Sequence, residues 1–200
     1  MTLYALKPRF QNLLRPGTAR LAGAGVTANQ VTLVAAAISC LVGAIVAWAG
    51  KPGLFLLLPA WLLLRMALNA IDGMLAREFG QKSRLGAYLN ELGDVVADAA
   101  LTAPFATIAP FSSTSIFVVI FLAALSEYAG VMGPLAGAGR RYDGPLGKSD
   151  RALVFGALGA WIGIFGPPPD WAAWLTPMLA ALLVVTTVNR VRSGVTEARI

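Results

Sequence analysis

Apolar residues run along this chain in long blocks separated by short polar breaks. Blocks lie near residues 31–50, 53–77, 84–109, 113–137, 151–166 and 171–189, and an apolar helix needs about 20 residues to cross a bilayer core. The breaks carry turn signals at Gly50 to Gly53, Phe111 to Ser115 and the proline run between Gly166 and Asp170. The pattern predicts an all-α polytopic membrane protein: a domain of six transmembrane helices over residues 27–200, its fifth span the shortest. Residues 1–26 repeat differently. There Leu3, Leu6, Phe10, Leu13 and Leu14 recur at helical spacing with Lys7, Gln11 and Arg15 between them. That spacing predicts an N-terminal amphipathic helix lying on the membrane surface, and without a continuous apolar core the segment is no signal peptide.

Charge fixes the expected orientation. Lys7, Arg9, Arg15 and Arg20 precede the first span. Arg77, Lys82 and Arg84 fall in the second connection, Arg140, Arg141, Lys148 and Arg151 in the fourth, and Arg190, Arg192 and Arg199 in the tail. The alternate connections hold only Lys51. Basic residues collect on the cytoplasmic side of bacterial inner membrane proteins, so both termini are expected there.

Composition agrees. Hydrophobic residues make up 57% and charged residues 13% of 200, about half the charge of an ordinary globular domain. The net charge of +6 is scattered through short loops. It suits anionic lipid headgroups, whereas a nucleic-acid binder would gather it on one face. No nucleic acid partner is expected. The lone cysteine, Cys40, lies in an apolar run and reads as packing. There is no histidine, so any chemistry must rest on carboxylates, amides, Lys, Arg and a bound metal.

Charge inside a span is costly and marks function. The second span carries Arg65, Asn69 and Asp72; the third carries Asn90, Glu91, Asp94 and Asp98. Each set repeats at three or four residues and so forms a stripe on one helix face. The two spans are antiparallel about a tight turn at Phe79 to Lys82. Asp72 should therefore lie level with Asn90, Asn69 with Asp94, and Arg65 with Asp98 as an ion pair. One polar cavity is expected, opening to the cytoplasm. Glu127, late in the fourth span, either snorkels or reaches that cavity. Trp48, Trp61, Trp171 and Trp174 are expected as interfacial anchors, and Trp161 as packing.

At the cavity mouth, Gly73 and Ala76 leave room for a ligand, as Gly86 does across the turn, and Arg77 offers a fork suited to phosphate. Carboxylate and amide oxygens suit Mg2+ or Mn2+, which would bridge phosphate oxygens. A metal, an arginine and a spare carboxylate base are what phosphoryl transfer requires.

The stretch Asn69-x2-Asp72-Gly73-x2-Ala76-Arg77-x8-Gly86-x3-Asn90-x3-Asp94 resembles the signature of the CDP-alcohol phosphotransferases, D-x2-D-G-x2-A-R-x8-G-x3-D-x3-D, in every spacing. Thr27-Ala28-Asn29-Gln30-Val31-Thr32 is similar to that family's T-P-N-x-x-T approach to its first span, with Ala28 in place of proline. Gly147-Lys148 resembles the family's glycine-lysine pair. MALNAIDGMLARE and LNELGD point to a divergent bacterial branch. The resemblance implies transfer of a phosphoalcohol, here a phosphatidyl group, from a CDP-linked donor such as CDP-diacylglycerol to an alcohol acceptor, with release of CMP. It implies Asp94 as catalytic base and metal ligand, and Asn69, Asp72 and Asn90 as further positions around one or two Mg2+ or Mn2+ ions. It also implies Gly73, Ala76, Arg77, Ser83, Gly86, Asn29 and Thr32 around the donor, and Lys148, Arg140, Arg141 and Arg151 near a phosphate. A homodimer is expected by the same analogy.

The departure is at Asn69 and Asn90, where the signature has aspartates. The four-position cluster falls from a formal −4 to −2, and metal affinity should fall with it. One ion held by Asp72 and Asp94, with amide help and with Glu91 turning in, would keep the chemistry. The alternative is a non-catalytic CDP-lipid-binding partner within a membrane lipid-synthesis complex. A transporter would want discontinuous helices and a path to both faces, and the short, nearly uncharged outer connections offer neither.

Overall fold

In a computed structural model of the chain, residues 3–198 are described, with side chains from residue 10 onward. Seven α-helices account for most of them: α1 (Leu3–Gly23), α2 (Ala28–Ala49), α3 (Leu57–Glu78), α4 (Arg84–Thr102), α5 (Ser113–Val131), α6 (Lys148–Phe165) and α7 (Leu175–Glu197). Short 3-10 turns at Pro52–Leu56, Ala103–Thr107, Pro134–Ala136 and Asp170–Trp174 join or extend them. Among the described residues there is no strand.

Local signals set the boundaries. Thr27 and Gln30 form a reciprocal cap on α2: the Thr27 hydroxyl accepts from the Gln30 amide at 3.2 Å, and Gln30 Oε1 accepts from the Thr27 amide at 2.9 Å. Gly50, at φ 59°, ends the same helix in the left-handed region. Ser83 and Ser112 cap α4 and α5 through their hydroxyls. Asp150 accepts from the Gly147 amide at 2.9 Å and opens α6.

Helices α2 to α7 fall on the six expected apolar segments. Four stretches are long and apolar enough to cross a membrane: Ala28–Ala49, Pro52–Glu78, Ser113–Ala136 and Asp170–Glu197. The other two helices carry the charges, Arg84, Glu91, Asp94 and Asp98 on α4 and Lys148, Asp150 and Arg151 on α6, which lowers their hydropathy. Helix α2 packs on α3 and α4, α3 on α6, and α5 on α7.

Phe105 is the hub of the packing, 5.4 Å from Phe55, 5.1 Å from Phe155 and 6.3 Å from Phe111 between ring centroids. Around it lie Leu58, Ile116, Ile162 and Leu183. Small residues let backbones touch. A Cβ on Gly43 of α2 would come within 2.1 Å of the Ala100 carbonyl oxygen of α4.

Two tryptophans depart from expectation. Trp61 is buried, and its indole N–H donates to Ser39 Oγ at 2.8 Å; a small hydroxyl on the neighbouring helix satisfies the ring inside the bundle. Trp161 is half-exposed and tilts against Phe165. Trp48, Trp171 and Trp174 are exposed. Helix α1 runs along α3 with Thr18 fully buried. The stripe expected on it begins at Leu3 and Leu6, whose side chains lie outside the described residues.

Candidate active site

The stripes on α3 and α4 meet at two of the three expected levels, Arg65 with Asp98 and Asn69 with Asp94. Arg65 donates from Nη1 to Asp98 Oδ1 at 2.5 Å and from Nη2 to Asp94 Oδ1 at 3.0 Å. Asn69 Nδ2 donates to the same Asp94 oxygen at 3.4 Å. The other oxygen, Asp94 Oδ2, forms an ion pair with Lys148, the first residue of α6. Asn90 lies half-buried one turn before Asp94. Asp72 is buried, and its contact is on a third helix: its Oδ2 accepts from the Thr32 hydroxyl at 2.8 Å. That hydroxyl also lies 3.0 Å from the Ala28 carbonyl, so its single hydrogen serves either acceptor. Side chains of α3, α4 and α6 thus meet at Asp94, and α2 joins the stripe of α3 through Thr32 and Asp72.

Nearer the mouth, the Arg77 guanidinium folds back over Gly73: a Cβ there would lie 2.9 Å from Arg77 Nη2. A Cβ on Gly86 would lie 2.7 Å from Asn29 Oδ1 and 2.9 Å from Ser83 Oγ. Asn29, Ser83 and Gly86 therefore converge, and the absent side chain is what lets them. Ala76 is half-buried beside Leu75. Sequence reasoning passed over Gln81. Its Oε1 accepts from the Ala28 amide at 2.7 Å and its Nε2 donates to the Val26 carbonyl at 3.3 Å. It pins the turn carrying Asn29 to the loop carrying Ser83. A glutamine between Gly80 and Lys82 gives no signal of this.

Away from the mouth the charges continue. Arg151 of α6 bridges Asp98 at 2.9 Å and Glu127 at 3.0 Å. Glu127 reaches inward, which settles its position, and also meets Arg190 of α7 at 3.3 Å. By sequence Arg190 belongs with the basic tail, yet only 2% of it is exposed. Its register with Leu179, Leu183, Thr186 and Gly194, all buried, is the signal that marks its inward face. Glu91, expected to turn toward an ion, pairs with Arg140 at 2.7 Å. Arg141 lies apart from Asp94, fastening Asp143 at 2.9 Å and pairing with Glu197.

The sequence profile of the CDP-alcohol phosphatidyltransferases matches residues 25–188, a stretch that contains the polar positions of α2 to α6 described above. The chain belongs to this family. Within it, the chain is 47% identical to the inner membrane protein YnbA of Escherichia coli strain K12 over 96% of both chains. It is 27% identical to the phosphatidylinositol phosphate synthase of Mycobacteroides abscessus, over 92% of this chain and 86% of that one. Its fold is similar to that of Mycobacterium tuberculosis phosphatidylinositol phosphate synthase crystallised with CDP-DAG, with a TM-score of 0.74, 21% identity, and 90% of this chain and 92% of that chain covered. The same synthase with manganese and citrate gives a TM-score of 0.73, over 90% of this chain and 87% of that one.

With asparagine at two signature positions, this member of the family offers a restricted set of oxygen donors to a divalent ion. Among the described residues no three acidic, His or Cys side chains converge as a metal cluster. The available set is Asp72 and Asp94 with the amide oxygens of Asn69 and Asn90. These are hard donors that fit one divalent ion better than two.

Proposed function

We propose that this protein transfers a phosphatidyl group from CDP-diacylglycerol, or a similar CDP-linked lipid, to an alcohol, releasing CMP at the cytoplasmic face of a bacterial inner membrane. The observation that carries this reading is the position of Asp94, held between Arg65, Asn69 and Lys148 on the stripe that faces α3. It is joined to a mouth where Asn29, Ser83 and Gly86 come together and where Arg77 folds over Gly73. In this reading α2 to α7 are the six spans, both termini are cytoplasmic, and two copies pair as a homodimer.

The residues divide the work. Arg77 and the amides near Gly73 hold the diphosphate, and Asn29, Thr32, Ser83, Ala76 and Gly86 shape the nucleotide end. Asp94 accepts the proton of the acceptor hydroxyl as its oxygen bonds to the phosphatidyl phosphorus. The bond from that phosphorus to the bridging oxygen breaks, and the electron pair leaves with CMP. Lys148 faces the negative charge that passes from donor to product, Arg65 aims the Asp94 carboxylate, and Arg151 stays with Asp98 and Glu127. Asp72 and Asp94, with Asn69 and Asn90, would hold Mg2+ or Mn2+, which when bound would neutralise diphosphate charge. Glu91 stays with Arg140.

The test is CMP release by purified protein with CDP-diacylglycerol, a divalent ion and a panel of alcohols. Asp94→Asn should lower the rate at least about 100-fold, the lower end of general-base contributions, and a chelator should abolish it. The two asparagines favour a second reading, a CDP-lipid-binding subunit without turnover. Donor binding that survives chelation, with no CMP released from any alcohol, would select it.

A further inference from the structure

The arginines around Glu127 are committed to carboxylates of the chain itself. Glu127 is 8% exposed. It meets Arg151 at 3.0 Å, Arg190 at 3.3 Å and Arg140 at 3.6 Å. Each arginine has a second partner: Arg151 takes Asp98 at 2.9 Å, Arg140 takes Glu91 at 2.7 Å, and Arg190 donates to the Ser126 carbonyl at 2.5 Å. Three guanidinium groups converging on one point is the arrangement that recognises a phosphate. Here the anion at that point is a side chain of α5.

Charge and space agree with this. Glu91, Asp94, Asp98 and Glu127 face Arg65, Arg140, Lys148, Arg151 and Arg190 across one connected group of ion pairs, and Asp72, bonded to Thr32 outside that group, is a fifth carboxylate on the same polar stripe of α3. Beside Asp98, Glu127 and Arg151 lies a cavity of about 30 Å³, room for one or two waters and too little for a phosphate. Among the described residues, the buried polar side-chain atoms left without a partner are the Nε atoms of Arg140, Arg151 and Arg190. Water or a hydroxyl oxygen satisfies such N–H groups without adding charge.

We propose that Glu127 is an internal counter-anion that closes this cluster to phosphate, and that the acceptor alcohol is therefore uncharged, a polyol or simple alcohol with no phosphate or carboxylate of its own. The word acceptor rests on the transferase reading; the exclusion of anions does not. Displacing Glu127 would leave a buried carboxylate without its cations, a penalty that an incoming anion would have to overcome.

Two measurements on the full-length protein in detergent test this. The first is binding of inorganic phosphate and of glycerol 3-phosphate, read as a saturable change in tryptophan fluorescence. Weak binding at Arg77 should be common to both proteins, and beyond it Glu127→Gln should bind either anion at least about tenfold more tightly than the wild type, the scale of one charge-assisted hydrogen bond; equal affinity in the two overturns the proposal. Glu127→Asp, which keeps the charge, should behave as the wild type does. Saturable anion binding by the wild type, lost in Glu127→Gln, overturns the proposal whatever the stability of the variant. The second is CMP release from CDP-diacylglycerol with glycerol or inositol against their phosphates at matched concentrations. Faster release with the phosphorylated acceptor also overturns it. No CMP with any acceptor would sink the transferase reading alone and leave the anion measurement to decide the role of Glu127.

Discussion

Arg65 is a single cation serving two carboxylates, with only 5% of its side chain exposed. Arg65→Gln leaves Asp94 and Asp98 without it, and breaking a buried pair in this way costs about 3–5 kcal/mol. The expected result is a thermally weakened protein with depressed turnover, read by unfolding in detergent. Asn69 makes the opposite prediction for metal. Asn69→Asp would add a carboxylate within reach of Asp94, destabilising the ion-free protein through like-charge repulsion while tightening Mn2+ binding. Mn2+ titration followed by electron paramagnetic resonance should show tighter binding, and thermal unfolding with chelator should show a lower midpoint. Gly86→Ala pushes a methyl group into Asn29 Oδ1 and Ser83 Oγ. It should raise the donor KM more than it lowers kcat. The stripe residues were legible in the sequence because helical periodicity and the charge penalty in lipid both mark them. Glu127 was half legible, since its helix shows no polar stripe to say which way it faces. Gln81 was not legible at all, because its partners are backbone atoms of another segment.

At the scale of elements, Gln81 ties the turn before α2 to the loop before α4 with two hydrogen bonds. Each is worth about 1 kcal/mol. Gln81→Ala should loosen that turn and weaken donor binding, read as a higher donor KM with kcat nearly preserved, and Gln81→Glu should recover only part, since it keeps the acceptor and loses the donor. The loop between α5 and α6 is held differently. Arg141 bonds Asp143 at 2.9 Å and pairs with Glu197 at the end of α7. The bond from Arg141 holds the Asp143 carboxyl below its ordinary value. A depressed carboxyl contributes its stabilisation above the unfolded pKa and loses it as pH falls through the folded one, so the tie is complete at neutral pH and fails below about 4. Protection of amides across residues 137–147, taken relative to their intrinsic exchange rates, should be high and flat down to that range and then fall. Helix boundaries followed from local chemistry, as at Thr27 and Gly50. The division of α5 and α7 between core and lipid did not, because both are apolar around most of their circumference and only packing chooses the face.

For the whole molecule, hydropathy found the bundle and polarity found the end where its charges meet, but the two signals compete. Helices α4 and α6 look least like spans because they hold Asp94, Asp98, Lys148 and Arg151. Tryptophan placement shows the same limit: Trp61 resembled an interfacial anchor by position, and only Ser39 on the adjoining helix explains its burial. Close contact between α2 and α4 bears on the site as well. Because the Ala100 carbonyl presses against Gly43, one added methyl acts as a wedge about 9 Å along α4 from Asp94. Gly43→Ala should pry the two helices apart and swing Thr32 away from Asp72, so that a lesion deep in the hydrocarbon registers as a fault at the headgroup.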